Sequence, residues 1–209
     1  MVPHDAILFD LDGVLVDSRV PITRSFNAAL AAHGLPARPD AELHAFIGPP
    51  IHEAFRSLTG ARDVDALVAA YRDRYRVKMD AETVVVDGIP ELLARLALPA
   101  VVATSKPGPL AEPLLEALGL RRHFLAVEGP GLAADAEPKA TTIGRALRAL
   151  PPGARPVMVG DRLHDVHGAA AHGIDCIGVL WGIGSREELE GAGAAAIAET
   201  PDELEELLR

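Results

Sequence analysis

Asp10 and Asp12 stand directly behind an apolar run, Ala6–Phe9, and Gly13 follows them. A short apolar run reads as a buried strand, and acids at its end must leave the core. Residues i and i+2 of an extended chain point the same way, so both carboxylates can converge on one spot beyond the strand. Two carboxylates on one spot repel unless a cation or a shared proton relieves them. The alternative is a solvated strand-to-loop turn with Asp-Gly as its punctuation. Asp-x-Asp-Gly alone leaves both readings open.

Polar groups follow apolar strands elsewhere too. Thr104, Ser105 and Lys106 come at the end of the Ala100 strand. Asp161 ends the Pro156 strand, with Asp165 just beyond, and Lys139 opens a helix between the two. Ligands of open parallel sheets bind beyond the carboxyl ends of the strands. Each of these residue types has a use in phosphoryl transfer. A carboxylate can attack phosphorus and split one hard step into two, and Asp10 is the expected nucleophile. Asp12 is placed to protonate the leaving alkoxide and then to take a proton from water. Thr104 and N–H groups near Ser105 can hold phosphate oxygens. Lys139 can neutralise the nucleophile and the phosphoryl group. Asp161 and Asp165 add negative charge to a site that must accept a dianion, which requires a cation. An all-oxygen site completed by a substrate phosphate favours Mg²⁺.

The elements that position these residues fall into two blocks. Asp5–Phe9 reads as the first strand. Asp17 or Ser18 can cap a helix with Pro21 in its first turn, running to about Ala32 and ended by His33-Gly34. A short helix over Asp40–Phe46 is broken by Gly48-Pro49-Pro50, and helical periodicity resumes over Ile51–Leu58 and Val64–Val77. This nearly all-helical block reads as a separate cap. From Val84 the pattern alternates. Strands are expected at Val84–Val86, Ala100–Thr104, Phe124–Val127, Pro156–Val159, Ile174–Leu180 and Ala194–Ala198. Helices are expected at Glu91–Leu96, Pro109–Leu118, Lys139–Leu150 and Val166–His172, with a Gly/Ala loop over Gly129–Glu137. Thr200-Pro201-Asp202-Glu203 reads as a capping box opening the last helix. Such alternation implies a mainly parallel sheet covered on both faces. The expected division is 1–16 and 84–209 for the α/β core and 17–83 for the helical cap.

Composition narrows the function. The 209 residues are 49% apolar and 24% charged, which suits a globular protein with a good core. The net charge is −10, with no basic run or aromatic-basic patch, so a nucleic-acid polymer is not an expected partner. A small anion is compatible if local cations hold it. The lone Cys176 lies in an apolar run and reads as a buried, inert thiol. No apolar run approaches ~18 residues and no basic n-region opens the chain, so neither a membrane span nor a signal peptide is expected. The expected location is the cytoplasm, as a monomer or homodimer.

Phe9–Gly13, reading Phe-Asp-Leu-Asp-Gly, resembles the first motif of the haloacid dehalogenase superfamily in its phosphatase form. Thr104 behind Val101-Val102-Ala103 is similar to its second motif, Lys139 to its third, and Gly160–Asp165 to its acidic fourth. The resemblance implies a Rossmann-like core with an inserted α-helical cap. It implies Mg²⁺ bound by the Asp10 carboxylate, the Asp12 main-chain carbonyl and Asp161, with Asp165 acting directly or through water. The helical insert resembles the cap of the phosphoglycolate phosphatase and β-phosphoglucomutase branch. Ile22–Phe26, Phe46–Pro50, Ala103–Pro107 and Val179–Ser185 look closest to bacterial 5′-nucleotidase-like phosphatases. The loop Glu128–Pro138 departs from relatives by lacking their Asp/Arg-bearing pattern, so Lys139 is assigned by position and by the helix after it, with Lys106 as the fallback cation or a residue of the substrate edge.

The expected substrate is a small phosphorylated metabolite. Gly48, in a stiff Gly-Pro-Pro loop, reads either as a cap loop sensing the leaving group or as a plain connector. Arg24 reads either as a contact to a substrate anion or as an exposed helix charge. Arg162 either orients Asp161 or covers a helix start. His164 and His167 read as surface residues, Trp181 as packing at the sheet edge, and Glu187-Glu188 as a solvated helix face. Two rivals share the motifs in part. A phosphomutase would return the phosphoryl group to the sugar. A phospho-accepting signalling or binding protein without turnover would place its acids and its phospho-acceptor on different strands.

Overall fold

The computed structural model describes residues 4–132 and 137–209. Residues 1–3, and 133–136 of the expected Gly/Ala loop, lie outside the described residues. The chain divides into two compact units, Met1–Asp17 with Val85–Arg209, and Ser18–Val84.

The first unit is built on a six-stranded sheet of order β5-β4-β1-β6-β7-β8. Its strands are β1 (Ala6–Phe9), β4 (Ala100–Ala103), β5 (Val127–Glu128), β6 (Pro156–Gly160), β7 (Cys176–Val179) and β8 (Ala196–Ala198). Every pairing is parallel. The central strands are wholly buried and almost continuously apolar, as a sheet covered on both faces requires. The helices α5 (Ile89–Arg95), α6 (Gly108–Ala117), α7 (Lys139–Ala149), α8 (Leu163–Ala170), α9 (Arg186–Ala192) and α10 (Pro201–Leu207) complete the unit. Leu8, Val101, Met158, Ile143, Val166 and Leu189 share one core cluster, which fixes α7, α8 and α9 against the strands. Phe9 ends β1 in register with Val102 of β4 and Val159 of β6, so Asp10, Thr104 and Asp161 all emerge at one edge.

The second unit is helical: α1 (Arg19–Ala32), α2 (Asp40–Leu43) with a 3₁₀ turn at His44–Phe46, α3 (Ile51–Thr59) and α4 (Asp65–Glu82). Phe26 centres its core, with Phe46, Phe55 and Tyr71 rings between 4.9 and 6.3 Å from its own. Among the described residues no helix is long and apolar enough to cross a membrane.

Several expectations need correction. The Val84 strand is β3 (Val84–Val85), and it pairs with β2 (Val16–Asp17) in a separate two-stranded sheet. β-Branched residues announce a strand but not its partner. The helix expected to stop at Val77 runs to Glu82, because Lys78–Glu82 contains no breaker. The strand expected over Phe124–Val127 is Val127–Glu128, preceded by a 3₁₀ turn at Arg121–His123. The helix expected from Val166 starts at Leu163. Ser18 occupies the N-cap of α1 without a side-chain capping bond. The capping box of α10 forms by half. Thr200 Oγ1 accepts from Glu203 N, while Glu203 reaches Glu199 N instead of the cap residue.

Candidate active site

Asp10 leaves β1 with its backbone still in the sheet, its N–H donating to Val159 O at 2.9 Å. The next residues curl into a tight turn. Val14, Leu15 and Val16 N–H all return to Leu11 O, and Gly13 N–H donates to Val16 O at 2.8 Å. Gly13 makes this possible twice over. Its φ is +87°, and a Cβ there would overlap the Asp161 carboxylate.

Lys139, the first residue of α7, sends its ammonium between two acids. Nζ lies 2.9 Å from Asp10 Oδ1 and 2.6 Å from Asp165 Oδ1. Asp165 is also fixed from behind, accepting from Arg162 N–H at 3.1 Å. A Cβ at Gly160 would collide with the Asp165 side chain, so β6 must end in glycine. Asp161 accepts from Ile183 N–H at 2.8 Å. Asp10, Asp161 and Asp165, all buried, each offer an oxygen within 4.8 Å of the others.

The electrostatics follow from that crowding. Burial raises the Asp10 carboxyl to about 6 despite Lys139, with Asp165 and Asp12 adding to the rise. Burial, then Asp165 and Asp10, hold Asp161 well above the usual carboxylate range, against the opposing pull of Ile183 N–H and Arg162. Burial disfavours the Lys139 ammonium, but Asp10 and Asp165 outweigh it and raise its pKa. Three buried carboxylates thus crowd together while one buried ammonium pairs with two of them, Asp10 and Asp165. The imbalance, together with an all-oxygen donor set, fits a hard divalent cation.

Asp12 faces a different cation. Lys106 Nζ lies 2.7 Å from Asp12 Oδ1 and 2.6 Å from Oδ2. Lys106 is buried at the entrance to α6, its own N–H donating to Thr104 Oγ1 at 3.0 Å. The structure therefore gives both lysines places among the acids: Lys139 on Asp10 and Asp165, and Lys106 on Asp12. Thr104 is buried behind them and Ser105 is half-buried. Gly48 and Arg24 lie in the helical unit. Gly48 is exposed with φ +105°. Arg24 is an exposed helix charge with a partner, 3.1 Å from Glu82, which also binds Arg74.

Other residues take part that the sequence did not mark for it. Glu188 accepts from Arg162 Nε at 2.8 Å and Leu163 N at 2.9 Å, so it is not a solvated face. Burial raises the Glu188 carboxyl, but these two donors carry it below its ordinary value. Arg162 consequently braces the acidic loop through Glu188. Trp181 does more than pack, since its Nε1 donates to Val14 O at 3.0 Å. Gly182 and Gly184 both lie against Asp161. The readable signal was Gly-x-Gly at the carboxyl end of a strand.

A parallel sheet whose first strand ends in a lysine-bound aspartate, ringed by further buried acids, sets a carboxylate-based site of an α/β Rossmann-like enzyme at the strand ends. The family model for haloacid dehalogenase-like hydrolases matches residues 7–179, and the chain belongs to that family. It is an enzyme of the family's phosphatase type. It is 42% identical over 189 residues to a 5′-nucleotidase of Pseudomonas aeruginosa, covering 88% of this chain and 86% of that one. It is 40% identical over 209 residues to the tyrosine-protein kinase PtkA of Mycobacterium tuberculosis, covering 97% and 72%. A crystal structure of a predicted phosphatase from Clostridium acetobutylicum superposes with a TM-score of 0.91 at 34% identity, covering 99% and 98%.

Proposed function

We propose that this chain hydrolyses a small phosphomonoester through a phosphorylated Asp10, with Mg²⁺ as cofactor, in the cytoplasm. The observation that supports it most is the ammonium of Lys139 shared between Asp10 and Asp165, with Asp161 in the same buried cluster. Mg²⁺ would be held by the Asp10 carboxylate, the Asp12 main-chain carbonyl and Asp161, with Asp165 direct or through water. When bound, it would offset the negative charge of the acids and of the phosphoryl group.

The chain's own residues supply the rest. Leu11 N–H and Lys139 both hold Asp10 Oδ1, which orients the other oxygen for attack on phosphorus. As the Asp10–phosphorus bond forms, the ester oxygen leaves and takes a proton from Asp12. Asp12 then removes a proton from water, whose oxygen displaces Asp10 and releases inorganic phosphate. Thr104 and the N–H groups around Ser105 hold the non-bridging oxygens. Lys106, now on Asp12, is the cation an incoming phosphate would attract, and its shift frees Asp12 for proton transfer.

Relatives carry names as different as 5′-nucleotidase, phosphoglycolate phosphatase and tyrosine-protein kinase. A net charge of −10 favours a small substrate over a nucleic-acid polymer. The deciding experiment measures phosphate release from phosphoglycolate, nucleoside monophosphates, sugar phosphates and phosphotyrosine, for wild type and Asp10→Asn. At least one substrate should turn over in wild type and none in the variant. Asp10→Asn retaining more than about one part in a hundred of the rate would require another nucleophile.

A further inference from the structure

The loop after β7, Leu180-Trp181-Gly182-Ile183-Gly184-Ser185, is shaped by the acid it faces. A Cβ at Gly182 would run into the Asp161 side chain, and one at Gly184 into the Asp161 main-chain carbonyl. From the opposite side, a Cβ at Gly13 would meet the Asp161 carboxylate. Asp161 therefore sits in a slot walled by bare backbone from two loops. Ile183 N–H, at 2.8 Å from Oδ2, stops the carboxylate from rotating in that slot.

The same segment is tied down on both sides of Asp161. Trp181 Nε1 donates to Val14 O at 3.0 Å, and Val14 belongs to the turn that carries Asp12. At the other end Ser185 Oγ caps α9 by accepting from Glu188 N at 3.2 Å. Glu188 then accepts from Arg162 Nε and Leu163 N, on the two residues after Asp161. Packing alone would be served by any large apolar side chain. An indole N–H aimed at a main-chain carbonyl serves position as well.

We propose that Trp181–Glu188 is a brace for the acidic site, and that Trp181 is a positioning residue locking the Asp12 turn to the loop that seats Asp161. This rests on the reading of Asp161 as a metal ligand. Trp181 touches neither substrate nor reacting atoms. Its N–H sets the Asp12 turn against the loop whose Ile183 N–H holds Asp161, and so fixes the spacing of the two acids. Losing it therefore weakens metal binding and lowers kcat, while substrate KM at saturating metal stays in place.

The test uses the full chain and Mg²⁺ itself. Trp181→Phe keeps an aromatic ring and removes the donor. Calorimetric titration should show Mg²⁺ affinity falling ~3–10-fold, the worth of one well-placed hydrogen bond. With p-nitrophenyl phosphate at saturating Mg²⁺, kcat should fall while KM moves by less than about 2-fold. Trp181 is the sequence's only tryptophan, so its emission in wild type should change as Mg²⁺ binds. Glu188→Gln tests the other end of the brace, should shift Mg²⁺ affinity in the same direction, and carries the test if Trp181→Phe fails to fold. Wild-type Mg²⁺ affinity in folded Trp181→Phe overturns the brace while leaving the metal reading intact. A wild-type protein that binds no Mg²⁺ overturns the metal reading, and the brace falls with it.

Discussion

Replacing Lys139 by Met removes the ammonium from between Asp10 and Asp165 while keeping most of the stem. The stem matters, because Cβ and Cγ of Lys139 lie close against Gly168. Two contacts of 2.9 and 2.6 Å are lost. At an effective dielectric of about 20, each is worth roughly 6 kcal/mol of Coulomb energy. Much of that is already offset by the desolvation of a lysine only 4% exposed along its side chain. Removing one partner from a buried pair costs a net ~3–5 kcal/mol, because the surviving charges are left uncompensated. In a chain of this size that lowers the melting temperature by about 6–20 °C. The measurement is thermal unfolding in EDTA at pH 8 and at pH 5. Asp10, already raised to about 6 by burial with Lys139 opposing the rise, should be protonated at pH 5, so the loss should shrink there. Adding Asp165→Asn to Lys139→Met should recover part of the loss, with a coupling of ~2 kcal/mol or more. A shift under about 2 °C at pH 8, or additive costs in the double variant, would refute the buried-charge reasoning.

Three further outcomes follow from the same cluster. Asp10 has its folded pKa raised from 3.8 to about 6, so its contribution to metal-free stability is full below pH 3.8 and lost as pH rises through 6. The stability of wild type relative to Asp10→Asn in EDTA should therefore fall by about 2 kcal/mol between pH 4 and pH 7, and a flat difference in urea unfolding would contradict it. Asp161→Asn removes a like charge but can keep an acceptor for Ile183 N–H, so at pH 8 it should stabilise the metal-free protein by ~1–3 kcal/mol. The same variant should lose most of the Mg²⁺-induced rise in melting temperature; a destabilised metal-free protein would count against mutual repulsion. Gly13→Ala places a Cβ both at positive φ and inside the Asp161 carboxylate, and should cost ~2–4 kcal/mol with loss of turnover.

The strands and the acids behind them were readable because burial imposes the apolar runs that end in Phe9, Ala103 and Gly160. Polar residues that follow such runs have to emerge at the sheet's carboxyl edge, whatever the helices between them do. That is why Asp10, Thr104 and Asp161 could be grouped without a structure, and why Lys139 could be added once its helix was placed. Partner choice was less readable. Lys106 reads from the sequence either as a substitute for Lys139 or as a residue of the substrate edge. Only the chain crossover that brings β4 beside β1 sets it on Asp12. Glu188 sits in a helix whose pattern is that of any exposed face, and its use depends on Arg162, which belongs to a different strand end.

Gly13, Gly160, Gly182 and Gly184 show where local reading stops. Each can be read as loop punctuation, and two are consistent with nothing more specific than a turn after a strand. Their shared property is that a Cβ at any of them would displace Asp161 or Asp165. Glycine here is selected by the size of a carboxylate arriving from another segment, not by the turn it occupies. The same crowding that excludes a methyl group also excludes water, and so raises Asp10 and Asp161 above the usual carboxylate range. Close packing and electrostatic strain are thus one design feature: backbone brought near enough to fix the acids also strips them of solvent, leaving them in need of a cation that the protein's own lysines supply only in part.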